Sequence, residues 1–177
     1  MSLAITYSRA HVRIDAPPVT VETHLTNGLP ALTMMGLPET AVRESKDRVR
    51  SALINAGFEF PNRRITINLA PADLPKEGGR FDLAIAMGLL AASNQVPKAA
   101  MTDYEFVAEL ALAGYLRPSP ASLSASLATR SAKRCLVVAP ENSLEALMPD
   151  QAQVLAPAHL NQLCEWIVNP ERASRPS

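Results

Sequence analysis

The single glycine pair of the chain, Gly78-Gly79, stands in PKEGGRFDL (Pro75 to Leu83), on a loop ahead of an apolar run. A glycine-rich turn opening a helix can cradle phosphate with its backbone N–H groups. A P-loop also needs a lysine directly after its last glycine, to reach the β- and γ-phosphates. Here Lys76 precedes the glycines and Arg80 follows them, so the pattern fails. The glycines read instead as a sharp turn into a buried helix. Lys76, Glu77, Gly78, Gly79, Arg80 and Asp82 are still the loop where chemically capable groups concentrate. A second concentration is basic: Arg43, Lys46, Arg48, Arg50, Arg63 and Arg64, with Glu39, Glu44 and Asp47 interleaved. Interleaved charge of this kind describes an exposed helix laced with ion pairs. Arg43, Lys46 and Arg50 are its candidates for contact with DNA or a neighbouring subunit. No aromatic platform accompanies them for stacking single-stranded bases. His11, His24 and His159 are scattered, without metal-ligand spacing, so no metal site is expected.

Composition narrows the classes further. Of 177 residues, 47 % are hydrophobic and 19 % charged, as in a folded globular domain rather than a disordered chain. Seventeen Lys and Arg balance seventeen Asp and Glu, which excludes a globally basic nucleic-acid binder but not a local basic patch. Cys135 and Cys164 form neither a disulfide framework nor a zinc knuckle. The longest apolar stretch, Leu83 to Ala92, is too short to span a bilayer. The start, MSLAITYSRA, lacks a basic segment followed by an apolar one, and a cytoplasmic protein that does not enter the membrane is expected.

These groups must be positioned by a mixture of strands and helices. Alternation predicts strands over Leu3 to Tyr7, His11 to Asp15, Val19 to Leu25 and Arg64 to Ala70, with Val19, Val21, Thr23 and Leu25 sharing one face. Asn27-Gly28 signals a turn, and a short apolar run, Ala31 to Met35, closes at Gly36. A helix is predicted from Pro38 to Ala56, opened by Pro38 and Glu39 and stopped by Gly57. Its Glu39–Arg43 and Glu44–Arg48 spacings place opposite charges one turn apart. Pro71 to Arg80 cannot be regular. Phe81 to Ser93 reads as a helix that is apolar all round, hence buried on most sides. Then follow a strand over Phe106 to Gly114, a helix over Leu123 to Arg130, and a buried strand over Cys135 to Ala139. Asn142 is expected to cap a short helix running to Leu147. Ala152 to Ala156 reads as another strand and His159 to Val168 as a last helix. Residues 1–168 thus read as one α/β or α+β layered domain with a mixed sheet packed by helices. Residues 169–177 lack periodicity and read as a tail or linker.

The stretch from Gly36 to Ser93 carries a resemblance. Its GLPE (Gly36 to Glu39), RVR (Arg48 to Arg50), ITINLAPADLPKEG (Ile65 to Gly78) and FDLAIA (Phe81 to Ala86) resemble the N-terminal domain of bacterial magnesium-chelatase-like AAA+ proteins, the YifB/ComM group. ELALAGYLRP (Glu109 to Pro118) and APEN (Ala139 to Asn142) continue the match in order, from about Ser2 to Val168. The resemblance implies a Lon-protease-domain-like fold. It also implies a longer parent in which an AAA+ ATPase domain of the same polypeptide follows, binding ATP and Mg2+, while this segment carries no cofactor. The parent would be a homo-hexamer, with DNA as a possible substrate. The ComM branch implies a helicase that drives branch migration during natural transformation.

Active Lon-type domains resemble PKDGPSAG at the nucleophile turn. In Pro75-Lys76-Glu77-Gly78-Gly79-Arg80-Phe81-Asp82 the serine position falls on Arg80, whose guanidinium is no nucleophile. The lysine of a Ser–Lys dyad would fall near Leu123 or Ser124, and Gly114 to Arg130 holds no lysine. No catalytic residue is therefore expected, and the segment reads as a non-catalytic module assisting assembly or DNA guidance. A serine peptidase using an unrecognised base, an autonomous DNA-binding module and a chelatase-type adaptor are the alternatives. At the turn, Asp82 is expected to accept backbone N–H bonds near the helix start, and Arg80 to be exposed or paired with Asp82 or Glu77.

Overall fold

The computed structural model describes residues 2–176. Four strands, β1 (Ser2–Arg9), β2 (Pro18–Thr26), β3 (Ala31–Met35) and β4 (Arg64–Ala70), form one mixed sheet in the order β1-β2-β4-β3. Alternation decides its two faces: Val19, Val21, Thr23 and Leu25 of β2, with Ile65, Ile67 and Leu69 of β4, are at most 1 % exposed. β3 and β4 run parallel, which requires a crossover, and α1 (Glu39–Asn55) supplies it. Its C-terminus closes as the sequence predicts. Gly57 adopts φ +88° and donates to the Ile54 carbonyl, while the Phe58 N–H reaches back to Leu53. Gly36, at φ +91°, lies so close to β4 that a Cβ would run into the Leu69 carbonyl.

The centre is α2 (Asp82–Ala92), in which every one of its 11 residues is buried. It lies under β1 and β2 on one side and against α1 on another. The rest of the chain wraps the remainder: β5 (Tyr104–Phe106), the hairpin of β6 (Glu109–Leu110) and β7 (Leu116–Arg117), α3 (Ser122–Ser131), β8 (Cys135–Val137), α4 (Ser143–Ala146), β9 (Val154–Leu155) and α5 (Leu160–Val168). β5, β8 and β9 make a small parallel sheet in the order β5-β8-β9. Val107, Leu136, Val138 and Val154 join Ala125 of α3 and Ala146 of α4 in a satellite apolar cluster. The architecture is the expected α+β one, a mixed sheet packed by helices. No helix among the described residues is long and apolar enough to cross a membrane.

Four local expectations are corrected. His11 to Asp15 is not a strand but the turn of the β1–β2 hairpin. Val12 and Asp15 exchange both backbone bonds across it, Arg13 takes φ 58°, and Ile14 is 86 % exposed. The run from Phe106 to Gly114 is broken after Phe106, because Ala108 leaves the parallel sheet to exchange backbone bonds with Arg80 and Leu83 at the start of α2. Asn142 does not cap α4; its side-chain amide donates to the Ser119 carbonyl and its oxygen accepts the Ser119 N–H, each at 3.0 Å. Within the tail, Pro170–Arg172 forms one 3-10 turn and Ala173 packs on the core.

One buried charge ties the two sheets together. Glu105 of β5, 1 % exposed, accepts from Arg9 Nε at 2.6 Å, Arg9 Nη2 at 3.1 Å, Thr129 Oγ1 at 2.8 Å and Arg134 Nη1 at 3.0 Å. Burial alone would raise its pKa, but the bonds from Arg9, Thr129 and Arg134 prevail and hold the carboxyl below its ordinary value of 4.5. A depressed folded-state pKa contributes stability above the unfolded pKa that is lost as pH falls through the folded one. In urea unfolding, Glu105→Gln should cost about 3 kcal/mol at pH 7. The gap to wild type should narrow as pH drops below 4.5. A gap that stays constant down to pH 3 (roughly a unit and more below the carboxylate range) would contradict this role.

Candidate functional site

The irregular segment after β4 brings the loop residues onto two sides of the first turn of α2. Asp82, the first residue of the helix, turns toward α1: it accepts from Ser45 Oγ at 2.7 Å, from Arg48 Nε at 2.6 Å and Nη2 at 3.2 Å, and from the Leu110 N–H at 3.2 Å. The expected backbone bond is therefore real, but it comes from β6 rather than from the helix itself. Burial pushes the Asp82 carboxyl up against the pull of these bonds, while the bond to Asp82 raises Arg48. Arg48 also reaches Glu44 at 3.6 Å, as the one-turn spacing predicts. Drawing Arg48 inward leaves Arg43 and Arg50 exposed and Lys46 half-buried on α1. Arg50 stacks over Phe60 at 4.8 Å, and none of these three lines the cleft described next.

On the other side of the turn lies a cleft of about 300 Å³. Its walls come from His11 of the first hairpin, the turn Glu77 to Arg80, Glu109 of β6 and Pro118 to Pro120. A Cβ at Gly79 would overlap the Glu109 side chain, which would have to shift. Arg80 is 5 % exposed, contrary to the expectation that it be exposed or paired with Asp82 or Glu77. Its Nε donates to the Arg9 carbonyl at 2.8 Å and its Nη1 to the Pro120 carbonyl at 2.9 Å, while Nη2 has no partner among the described residues. Asp82 is already engaged by Arg48, and Glu77 stays exposed at the rim. No carboxylate among the described residues lies within ion-pair distance of it, and burial pushes the Arg80 guanidinium down to about 10, so it remains cationic at neutral pH. A buried donor left unmet costs on the order of 1–3 kcal/mol, and a charged one more. Lys76 does not join the cleft: its Nζ donates to the Pro71 carbonyl at 2.5 Å and to Leu74 at 3.4 Å, and burial lowers its pKa.

His11, Glu109 and Ser119 are the cleft residues that sequence reasoning missed. Each comes from a different element, separated along the chain from the glycine turn, and no local spacing announces the convergence. Ser45 and Arg48 were hidden for a different reason, since a helical polar face looks alike whether it meets water or a buried carboxylate. No group of three or more His, Cys, Asp or Glu among the described residues is placed to hold a metal ion. Arg48→Met should cost about 3 kcal/mol in chemical denaturation, because it strands a buried carboxylate. A loss below about 1 kcal/mol, the range of an exposed ion pair, would show that Asp82 is held by Ser45 and Leu110 alone.

Comparison with known proteins gives the lineage. The chain is 51 % identical over 176 residues, 99 % of its length, to the protein YifB of Salmonella typhimurium, and 49 % identical over the same span to YifB of Escherichia coli. It is 58 % identical over 152 residues, 85 % of its length, to competence protein ComM of Haemophilus influenzae. It spans only 35 % of the two YifB proteins and 30 % of ComM, matching in each case a part of a larger protein. Residues 21–142 match the family described as subunit ChlI of Mg-chelatase, and the chain belongs to that family.

Proposed function

We propose that this domain is a non-catalytic module of a longer magnesium-chelatase-like AAA+ ATPase, serving ring assembly or the guidance of DNA. The observation that carries the reading is the side chain at position 80. In a Lon-type peptidase fold this turn would present the nucleophile; here it presents a guanidinium sunk between two backbone carbonyls. The bond from Arg80 to Pro120 also brings the turn beside the start of α3, where the lysine of a dyad would have to stand. Leu123 and Ser124 occupy that stretch, and no lysine lines the cleft. A hydroxyl needs a neighbouring base to become a nucleophile.

Three other buried serines do not replace it. Ser8 donates to the Phe106 carbonyl, Ser45 to Asp82 and Ser126 to the Ala146 carbonyl, each proton committed to a structural acceptor. Lys98 does meet Ser2 Oγ at 2.8 Å, but the lysine is exposed and the serine itself donates to the Ala92 carbonyl at 2.7 Å. That geometry caps the end of α2. The parent would bind ATP and Mg2+ in its ATPase portion and assemble as a homo-hexamer. The competence name of the Haemophilus relative supports DNA as its substrate, in the manner of a branch-migration helicase. Exposed Arg43 and Arg50, with Lys46, are the side chains offered to DNA or to a neighbouring subunit.

Two measurements test this. Incubated with a serine-directed phosphonate and a fluorogenic unfolded protein, the domain should show neither adduct nor cleavage. A stoichiometric serine adduct would overturn the non-catalytic reading. Removal of residues 1–168 from the parent should weaken ring formation or DNA-dependent ATP hydrolysis; unchanged assembly and turnover would overturn the module role.

A further inference from the structure

Among the residues lining the cleft, Arg80 is the one lysine or arginine, and it is incompletely satisfied. It is 5 % exposed, two carbonyls occupy Nε and Nη1, and no carboxylate lies within ion-pair distance among the described residues. Beside it, the backbone N–H groups of Gly78 and Gly79 donate to no acceptor among the described residues. Three donor nitrogens at this wall, Arg80 Nη2 and the two glycine N–H groups, are therefore idle, beside one uncompensated positive charge. Opposite in character, Glu109 and Glu77 line the same cleft without any ion-pair partner of their own.

We propose that this cleft binds the carboxylate of a peptide, with Arg80 and the Gly78-Gly79 turn taking the oxygens and Glu109 accepting an N–H beside the carboxylate. With Nε and Nη1 held by carbonyls, one carboxylate oxygen would take the charge-assisted bond from Nη2 and the other the glycine N–H groups, successive N–H groups at a turn forming an anion-binding concavity. Charge count selects among oxyanions. A phosphate dianion would meet the repulsion of Glu109 and Glu77 twice over, whereas a carboxylate carries one charge and its neighbouring amide turns Glu109 into a partner. The inference goes beyond the module role and stands whether or not the parent acts on DNA.

The test follows the Arg80 Nε–H signal in 15N-labelled protein of all 177 residues, at fixed ionic strength. N-acetylglycine (a chain-end carboxylate), N-acetylaspartate diamide (an acidic side chain), acetate and inorganic phosphate are titrated separately. One of the two amide-bearing carboxylates should shift the signal saturably, at least about fivefold tighter than phosphate, with acetate between them. Whichever of the two binds tighter identifies the source as a chain end or a side chain. In Arg80→Lys, which lacks that signal, the Gly78 and Gly79 amide signals should show no saturable shift. Because that variant removes a packed group, Glu109→Gln serves as an independent check: it should narrow the preference for carboxylate over phosphate. No saturable shift with any carboxylate, equal shifts with phosphate, or a preference unmoved by Glu109→Gln would each overturn the assignment.

Discussion

A helix without a polar face must be covered on every side, and α2 imposes that demand on the whole molecule. Its 11 buried residues need a sheet above, a helix alongside and further chain around the remainder, and the sequence supplies these in turn. Close approach is part of the solution. Gly88 faces β1 and β2 at a point where a Cβ would stand 2.5 Å from Thr23 Oγ1. Thr6 Oγ1 donates to the Ala84 carbonyl at 2.8 Å, giving a strand residue a direct bond into the helix backbone. Interior packing at this density leaves little room for the helix to shift.

A buried helix start raises a second problem, since its first N–H groups need acceptors and nearby charges need partners. The solution is polar and long-range. Asp82 fastens the helix to α1 and β6, the Ala108 carbonyl takes the Leu83 N–H, and Arg80 bridges β1 to the segment before α3. Glu105 performs the same service between β1, β5 and α3. Groups that could do acid–base chemistry elsewhere are consumed here in holding elements together. Among the described residues Arg80 is the buried charged group left partly unmet, and the proposed recognition of a carboxylate is placed at its cleft for that reason.

Much of this was legible in the amino-acid order. Alternation in β2 and β4 gave the buried face, the unbroken apolar run gave α2, and Gly57 gave the end of α1. That a guanidinium rather than a hydroxyl stands at position 80 is plain from residue type alone. What the order concealed was contact across distance. Asp82 and Arg48 lie 34 residues apart, and Arg80 and Arg9 lie 71 apart. A guanidinium at a glycine turn looks solvent-exposed unless one knows that a hairpin and a proline loop close over it. His11 to Asp15 misled for a local reason. Its alternating polarity imitates a strand, yet Arg13 in the left-handed region folds it into a hairpin turn. Phe106 to Gly114 misled because a continuous apolar run does not reveal where its backbone bonds change partner.

The first turn of α2 is a structural clamp rather than a mobile turn, and native-state hydrogen exchange reads the difference. The Asp82, Leu83 and Ile85 amides, bonded to Gly79, Ala108 and Phe81, should exchange only through global unfolding, together with those of the helix centre. Exchange of these three at a free energy well below the global value, with the rest of α2 still protected, would reveal a turn that opens on its own and would contradict the account.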